Sequence, residues 1–260
     1  MADIASDGIL PAEHREVSAK LIRARRNARA LPGFPGSVPA TLAEAYALQS
    51  QSLAAWAGNV VGWKVGGIPP ARREAYPADW LVGPIFESAR RFTQDGAVSK
   101  MPVYAGGFAA IEAEFVLRIG DDGEDDRLYI GAEIASSPVP DLNDYGPGAI
   151  ISDFGNNNGL LVGAEVQDWR GLTDIEVVTV IDGQEIGRTT VASVREGVER
   201  SANFLRENLA SRRIPLVPGT LVSCGALTGV HECPVGAVGE IEFMGLGSLK
   251  IELVDAAGAD

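Results

Sequence analysis

The chain has 260 residues, 46% of them hydrophobic and 22% charged, with a formal net charge of −13. That composition excludes a wholly disordered or fibrous protein, and the length allows one large core or two modest ones. The negative charge argues against a nucleic-acid partner, because a polyanion would be repelled.

The first segment, MADIASDGILPAEH, carries neither a charged n-region nor an apolar h-region. No run approaches the ~20 apolar residues that cross a bilayer, so the expectation is a cytoplasmic protein with no membrane partner. AEHREVSAKLIRARRNA sets Val17, Leu21 and Ile22 on a narrow apolar stripe and predicts an amphipathic helix. The arginines of KLIRARRNARA spread around that helix and read as a solvated face. LPGFPGSVPA breaks it. A second helix is predicted to open at Thr41, with Glu44 completing a capping box, and to stop near Gly58.

From Val60 onward the sequence changes to short strand-like segments. In VVGWKVGG, Val61, Trp63 and Val65 alternate with Gly62, Lys64 and Gly66. Lys64 reads either as a lysine reaching solvent past a sheet edge or as a desolvated amine able to exchange protons near neutrality. No phosphate-loop pattern surrounds it. Asp79, in YPADWLVGPIF, opens an apolar run and reads as a turn residue. In AAIEAEFVLRIG the apolar residues Ile111, Ala113, Phe115, Leu117 and Ile119 share one strand face. Glu112 and Glu114 lie together on the other face and repel each other. LYIGAEIASSP places a further acid, Glu133, in the middle of a second strand. Three carboxylates converging from two strands would suit a hard cation such as Mg²⁺ or Mn²⁺; the plainer reading is a solvated face.

SDFGNNNGLLVG holds an asparagine cluster that a tight turn explains without any ligand, though its amides could equally bind the polar end of a small acid. DIEVVTVIDGQEIGRT carries the DG signal of a hairpin, and SVREGVERSANFLRENLA predicts another helix. CGALTGVHEC brackets His231 with Cys224 and Cys233, but structural zinc takes four ligands, so the cysteines read as reduced thiols. His14 and His231 offer no nucleophilic triad. The division expected is a helical part, residues 1–59, integrated with a strand-rich part, residues 60–260.

The ordered set GWKVGG, IEAEF, GAEIASSPVPDLN, SDFGNNNGLLVG and CGALTG…GLGSL resembles the 2-keto-4-pentenoate hydratase group of the fumarylacetoacetate hydrolase superfamily, which includes 4-oxalocrotonate decarboxylase. The likeness implies a mixed α/β, strand-rich fold and a homo-oligomer. By it, Glu112, Glu114 and Glu133 match metal ligands for Mg²⁺ or Mn²⁺, Lys64 a catalytic lysine and Asp79 its partner. Asn157 and the stretch Gly225, Ala226 and Leu227 fall at substrate-binding positions. The implied activity is hydration of a 2-hydroxy-2,4-dienoate in meta-cleavage aromatic catabolism. Decarboxylation of a 2-oxo dioate and non-catalytic binding of an oxo acid are the alternatives. The chain departs from the group in a short segment between Glu114 and Glu133, in GGIPP after the lysine, and in NNN where a serine is common.

Overall fold

The structure is a computed structural model and describes residues 11–94, 96–123 and 125–258. Among these, the chain runs α1 (Ala12–Arg26), α2 (Leu42–Ala55), β1 (Val60–Gly67), β2 (Trp80–Phe86), β3 (Arg90–Phe92), β4 (Val98–Val103), β5 (Phe108–Arg118) and β6 (Arg127–Ser137). It continues with α3 (Pro147–Ser152), β7 (Asn157–Val166), β8 (Ile175–Ile181), β9 (Gln184–Val191), α4 (Val194–Ser211), β10 (Leu221–Ser223), β11 (His231–Glu232), β12 (Val238–Phe243) and β13 (Gly247–Asp255). One sheet runs β2-β1-β10-β5-β6-β7-β3, with β11 pairing another stretch of β5. The second runs β4-β13-β12-β8-β9. The expected mixed α/β, strand-rich class is the one the chain adopts. No helix among the described residues is long and apolar enough to cross a membrane.

The antiparallel pair β5–β6 is the spine of the larger sheet, in unbroken register from Phe108 opposite Ser137 to Arg118 opposite Arg127. Ile111, Ala113, Phe115 and Leu117 enter the main core with Ile241, Phe243 and Leu249 of the second sheet and Val198 and Leu205 of α4. Phe115 and Phe243 stand 5.4 Å apart between ring centroids. Each such side chain removed from water contributes roughly 1.5–3 kcal/mol, which is what clamps the two sheets together. On the opposite face Ala110 joins Val17, Leu21 and Leu48 beneath the first two helices. Val116 joins Ile85, Leu160, Val162 and Leu221. That face is therefore apolar at both ends and acidic in the middle, and β5 is buried on both sides. A solvated face is excluded.

Local signals hold where the chemistry is local. Thr41 Oγ1 accepts from the Glu44 amide at 3.2 Å, and Glu44 accepts from the Thr41 amide at 3.2 Å, closing the predicted capping box. Asp182 and Gly183 both take left-handed φ angles, 49° and 78°, as the hairpin demands. The second helix stops at Ala55, short of Gly58, because Trp56 turns extended. Its ring then packs on Phe86 and Phe154, at 5.5 and 5.7 Å. Strands β2, β3, β4 and β11 went unpredicted. β2 contains Gly83 and Pro84 and lies at the sheet edge, where proline is tolerated. The basic run also needs correction at Arg25: Arg23 and Arg26 are exposed, but Arg25 is buried against Asp153.

Candidate metal centre

The register of β5 and β6 sets Glu112 directly opposite Glu133, and Glu114 opposite Gly131. Gly131 leaves space that a side chain would close, since a Cβ there would collide with Val116 and stand 3.0 Å from the Leu161 carbonyl. One carboxylate oxygen from each glutamate lies within 4.8 Å of the others, and all three side chains are buried. Glu114 Oε2 accepts from the Ser223 hydroxyl and, at 3.0 Å, from the Gly225 amide. Glu133 Oε1 accepts from Asn157 Nδ2 at 3.0 Å.

Lys64 faces the same site. It is not at a sheet edge, because β1 runs between β2 and β10, with Gly83 on one side and Ser223 on the other. Its Nζ is 3.2 Å from Glu133 Oε2 and donates to Asn156 Oδ1 at 2.9 Å. Burial alone would pull the ammonium down, but the fields of Glu133, Glu112 and Glu114 outweigh it and raise its pKa. Lys64 is thus held as a cation, opposite to the expectation from desolvation alone. Burial pushes the Glu112 carboxyl up to about 7, with Lys64 opposing and Glu133 adding to the rise. Glu114 goes well above the usual carboxylate range, first through burial and then through Glu133 and Glu112, despite its hydrogen bonds from Ser223 and Gly225.

These residues fit a divalent cation. Three carboxylates against one ammonium leave two uncompensated negative charges where almost no solvent reaches, and such charge persists only when paired or metal-bound. Glu133 Oε2 also lacks a hydrogen-bond partner: Lys64 is in ion-pair range without donor geometry toward it. An all-oxygen donor set in which Glu133 Oε2 is held only by an ion pair suits a hard cation.

The other expected site residues divide. Asn157 reaches the cluster through Glu133, and its own Oδ1 is buried without a partner. Gly225, at φ 105°, caps Glu114 through its amide, whereas Leu227 bonds the Ala113 carbonyl through its amide and Ala226 is exposed. Asp79 is not brought to Lys64. Its carboxylate pairs with Arg73 at 2.7 Å on the surface, its side chain 59% exposed, because it lies before β2 rather than on the face Lys64 shares. Lys64 takes Glu133 and Asn156 instead. Asn156 and Ser223 were missed. Ser223 was hidden because a hydroxyl in a short strand carries no pattern, and Asn156 because a cluster of asparagines reads equally well as a turn. Cys224 and Cys233 are free thiols.

Solved structures share this architecture. The chain superposes on 4-oxalocrotonate decarboxylase from Pseudomonas putida G7, complexed with magnesium and adipate, with a TM-score of 0.72 and 18% identity over 96% of this chain and all (100%) of that one. Fumarylpyruvate hydrolase from Pseudomonas aeruginosa, in complex with Mn²⁺ and pyruvate, gives 0.53 at 20% identity over 74% of this chain and 88% of that one. The 5-carboxymethyl-2-hydroxymuconate delta-isomerase from Mycobacterium smegmatis gives 0.52 at 18% identity over 76% and 81%. No protein-family model matches the chain, and no curated protein matches it in sequence. The fold is the fumarylacetoacetate hydrolase-like one.

Proposed function

We propose that the protein is a hydratase dependent on Mg²⁺ or Mn²⁺ that adds water to a 2-hydroxy-2,4-dienoate, giving a 4-hydroxy-2-oxo acid, as in meta-cleavage breakdown of aromatic compounds. One observation carries the reading: Glu112, Glu114 and Glu133 converge in a buried cluster with a lysine cation in contact. The three glutamates would hold the cation. When bound, it supplies electrostatic stabilisation for negative charge on the oxygens of a chelating 2-oxo acid.

This chain's residues supply the rest. Lys64 Nζ, fixed in direction by Asn156 Oδ1, would deliver its proton to C5 of the dienol while the 2-hydroxyl proton leaves and restores the ammonium. Water then adds to the resulting 2-oxo-3-enoate, its hydroxyl to C4 and its proton to C3. Ser223 and Gly225 hold Glu114 in one orientation, and Asn157 does the same for Glu133. Asn157 Oδ1, left without a donor, accepts from a hydroxyl or water brought with the ligand. Burial of the cluster keeps bulk water from competing for the charged groups.

Decarboxylation of a 2-oxo dioate is the second reading, favoured by the full-length superposition on a decarboxylase complexed with a dicarboxylate. Incubation with Mg²⁺ and either 2-hydroxypenta-2,4-dienoate or 4-oxalocrotonate separates the two. The first reading expects hydration of the dienoate, and carbon dioxide released from 4-oxalocrotonate alone would replace it with the second. If neither substrate is consumed and no deuterium enters a simple 2-oxo acid, both enzymatic readings fall and a binding role replaces them.

A further inference from the structure

Arg25 stands apart from the other arginines of α1. Its side chain is 3% exposed and faces Asp153, which is fully buried at 0%. Nε donates to Asp153 Oδ1 at 2.6 Å and Nη2 to Oδ2 at 2.9 Å, a two-pronged pair. The same guanidinium donates to the carbonyls of Asp153, Asn157 and Ser136 at 3.0, 3.0 and 3.1 Å. It thus ties both ends of the turn 153–157 to each other and to the end of β6.

That turn is unusual backbone. Phe154, Gly155 and Asn156 take consecutive φ angles of 56°, 68° and 56°, all left-handed. A bulky residue such as phenylalanine adopts that region only when its surroundings impose it. Three surroundings do so here. The guanidinium lies 5.4 Å above the Phe154 ring. Trp56 and Phe86 clasp the ring edge-on. Gly83 of β2, lacking a side chain, lets the turn lie against the strand, where a Cβ would come within 2.7 Å of Gly155 Cα. The outcome is that Asn156 Oδ1 meets Lys64 at 2.9 Å and Asn157 Nδ2 meets Glu133 at 3.0 Å.

We propose that Arg25 and Asp153 are positioning residues: through the left-handed turn they aim Asn156 at the proton-carrying lysine and Asn157 at Glu133. The inference rests on the role given to Lys64 above, but the pair itself touches neither the carboxylate cluster nor any ligand.

Arg25→Lys keeps the charge and loses the fork. The full-length protein, labelled with ¹⁵N-asparagine, is compared with wild type by side-chain amide NMR, Mg²⁺ calorimetry and dienoate kinetics. The expected result is a folded variant whose Asn156 and Asn157 amide signals shift or broaden. Its kcat should fall about 10- to 100-fold with KM and Mg²⁺ affinity nearly kept, the pattern of a misaimed group rather than a lost binding site. Unchanged amide signals, or an unchanged kcat, overturn the proposal. If wild type consumes no substrate offered, the functional reading fails, while the amide signals still decide the positioning. If Arg25→Lys does not fold, Asp153→Asn, which keeps the shape of the acceptor, is measured in the same way; if neither folds, the pair is a folding element and the proposal falls.

Discussion

At the scale of single residues, the site is a competition between burial and charge. Glu114 has two fixed donors and still sits far above the ordinary carboxylate range, so its negative form needs a cation more than it needs the protein. Glu114→Gln keeps the volume and removes the charge. It is expected to fold and to lose divalent-metal binding, with calorimetry using Mg²⁺ or Mn²⁺ as the check; undiminished affinity would contradict the three-carboxylate site. Lys64 gives the complementary test. Lys64→Ala should retain metal affinity, because the glutamates supply it, while turnover falls by roughly 10²- to 10⁴-fold. Lys64→Arg should be no better, since the guanidinium is a weaker acid than the ammonium and its planar fork cannot put a donor where Nζ meets Asn156 Oδ1. A near-wild-type kcat in Lys64→Arg would reduce the lysine to a fixed charge. At this scale the sequence was informative: alternation alone put Glu112 and Glu114 on one face and Lys64 between glycines. Its reading of Asp79 as a turn residue fits the exposed position found, whereas the pairing with Lys64 that the resemblance implied is not formed, because Arg73, six residues away, is a partner that needs no core.

At the scale of elements, close packing of β2 against the 154–156 turn links the fold to the site. α2 also holds β2: Tyr46 accepts from the Val82 amide at 3.0 Å, and Gln49 donates to the Val82 carbonyl at 2.9 Å. The next residue, Gly83, meets the turn. Gly83→Ala would drive a methyl into the Phe154 carbonyl and Gly155 Cα, backbone atoms that cannot swing aside. We expect a loss of about 1–3 kcal/mol, the usual cost of overpacking. Turnover should fall with metal affinity largely retained, since the turn supports Lys64 more directly than it supports the glutamates. Urea unfolding beside Mg²⁺ titration checks both; a variant as stable as wild type would mean that the turn is not wedged against β2. Elements were legible where one signal sufficed: the capping box at Thr41, the Asp182–Gly183 turn and the apolar stripe of α1. β2, β3, β4 and β11 were not, because edge strands and two-residue bridges take their shape from neighbours rather than from their own periodicity.

At the scale of the whole molecule, the buried acids tie stability to pH and metal. Glu112 titrates near 7 in the folded protein against an ordinary value of 4.5. Between those values the folded state holds a proton that the unfolded chain has released, so this group's contribution is greatest below about pH 4.5 and is lost as pH rises toward 7. Glu114, raised well above its ordinary range by burial and then by Glu133 and Glu112, contributes with the same sign. A cation binds the deprotonated forms, so its affinity rises over the same interval. The difference in Tm between Mg²⁺ and EDTA should therefore be larger at pH 8 than at pH 6. A difference that is equal, or smaller at pH 8, would show that the carboxylates are already ionised in the metal-free protein.

What the sequence determined by itself is what depends on neighbours along the chain. Strand alternation gave the shared face of Glu112 and Glu114, turn chemistry the hairpin and caps, and composition the absence of a helix able to span a membrane among the described residues. What only the tertiary structure decided is what depends on residues far apart in the chain meeting in one place. It set Glu133 opposite Glu112, gave Lys64 to Glu133 and Asn156 rather than to Asp79, and buried Arg25 across 128 positions against Asp153. The physical reason is that a polar side chain carries no mark of its partner. Whether it stays in water or pays for burial by pairing is fixed only when the sheets close, and water is removed from both groups at once.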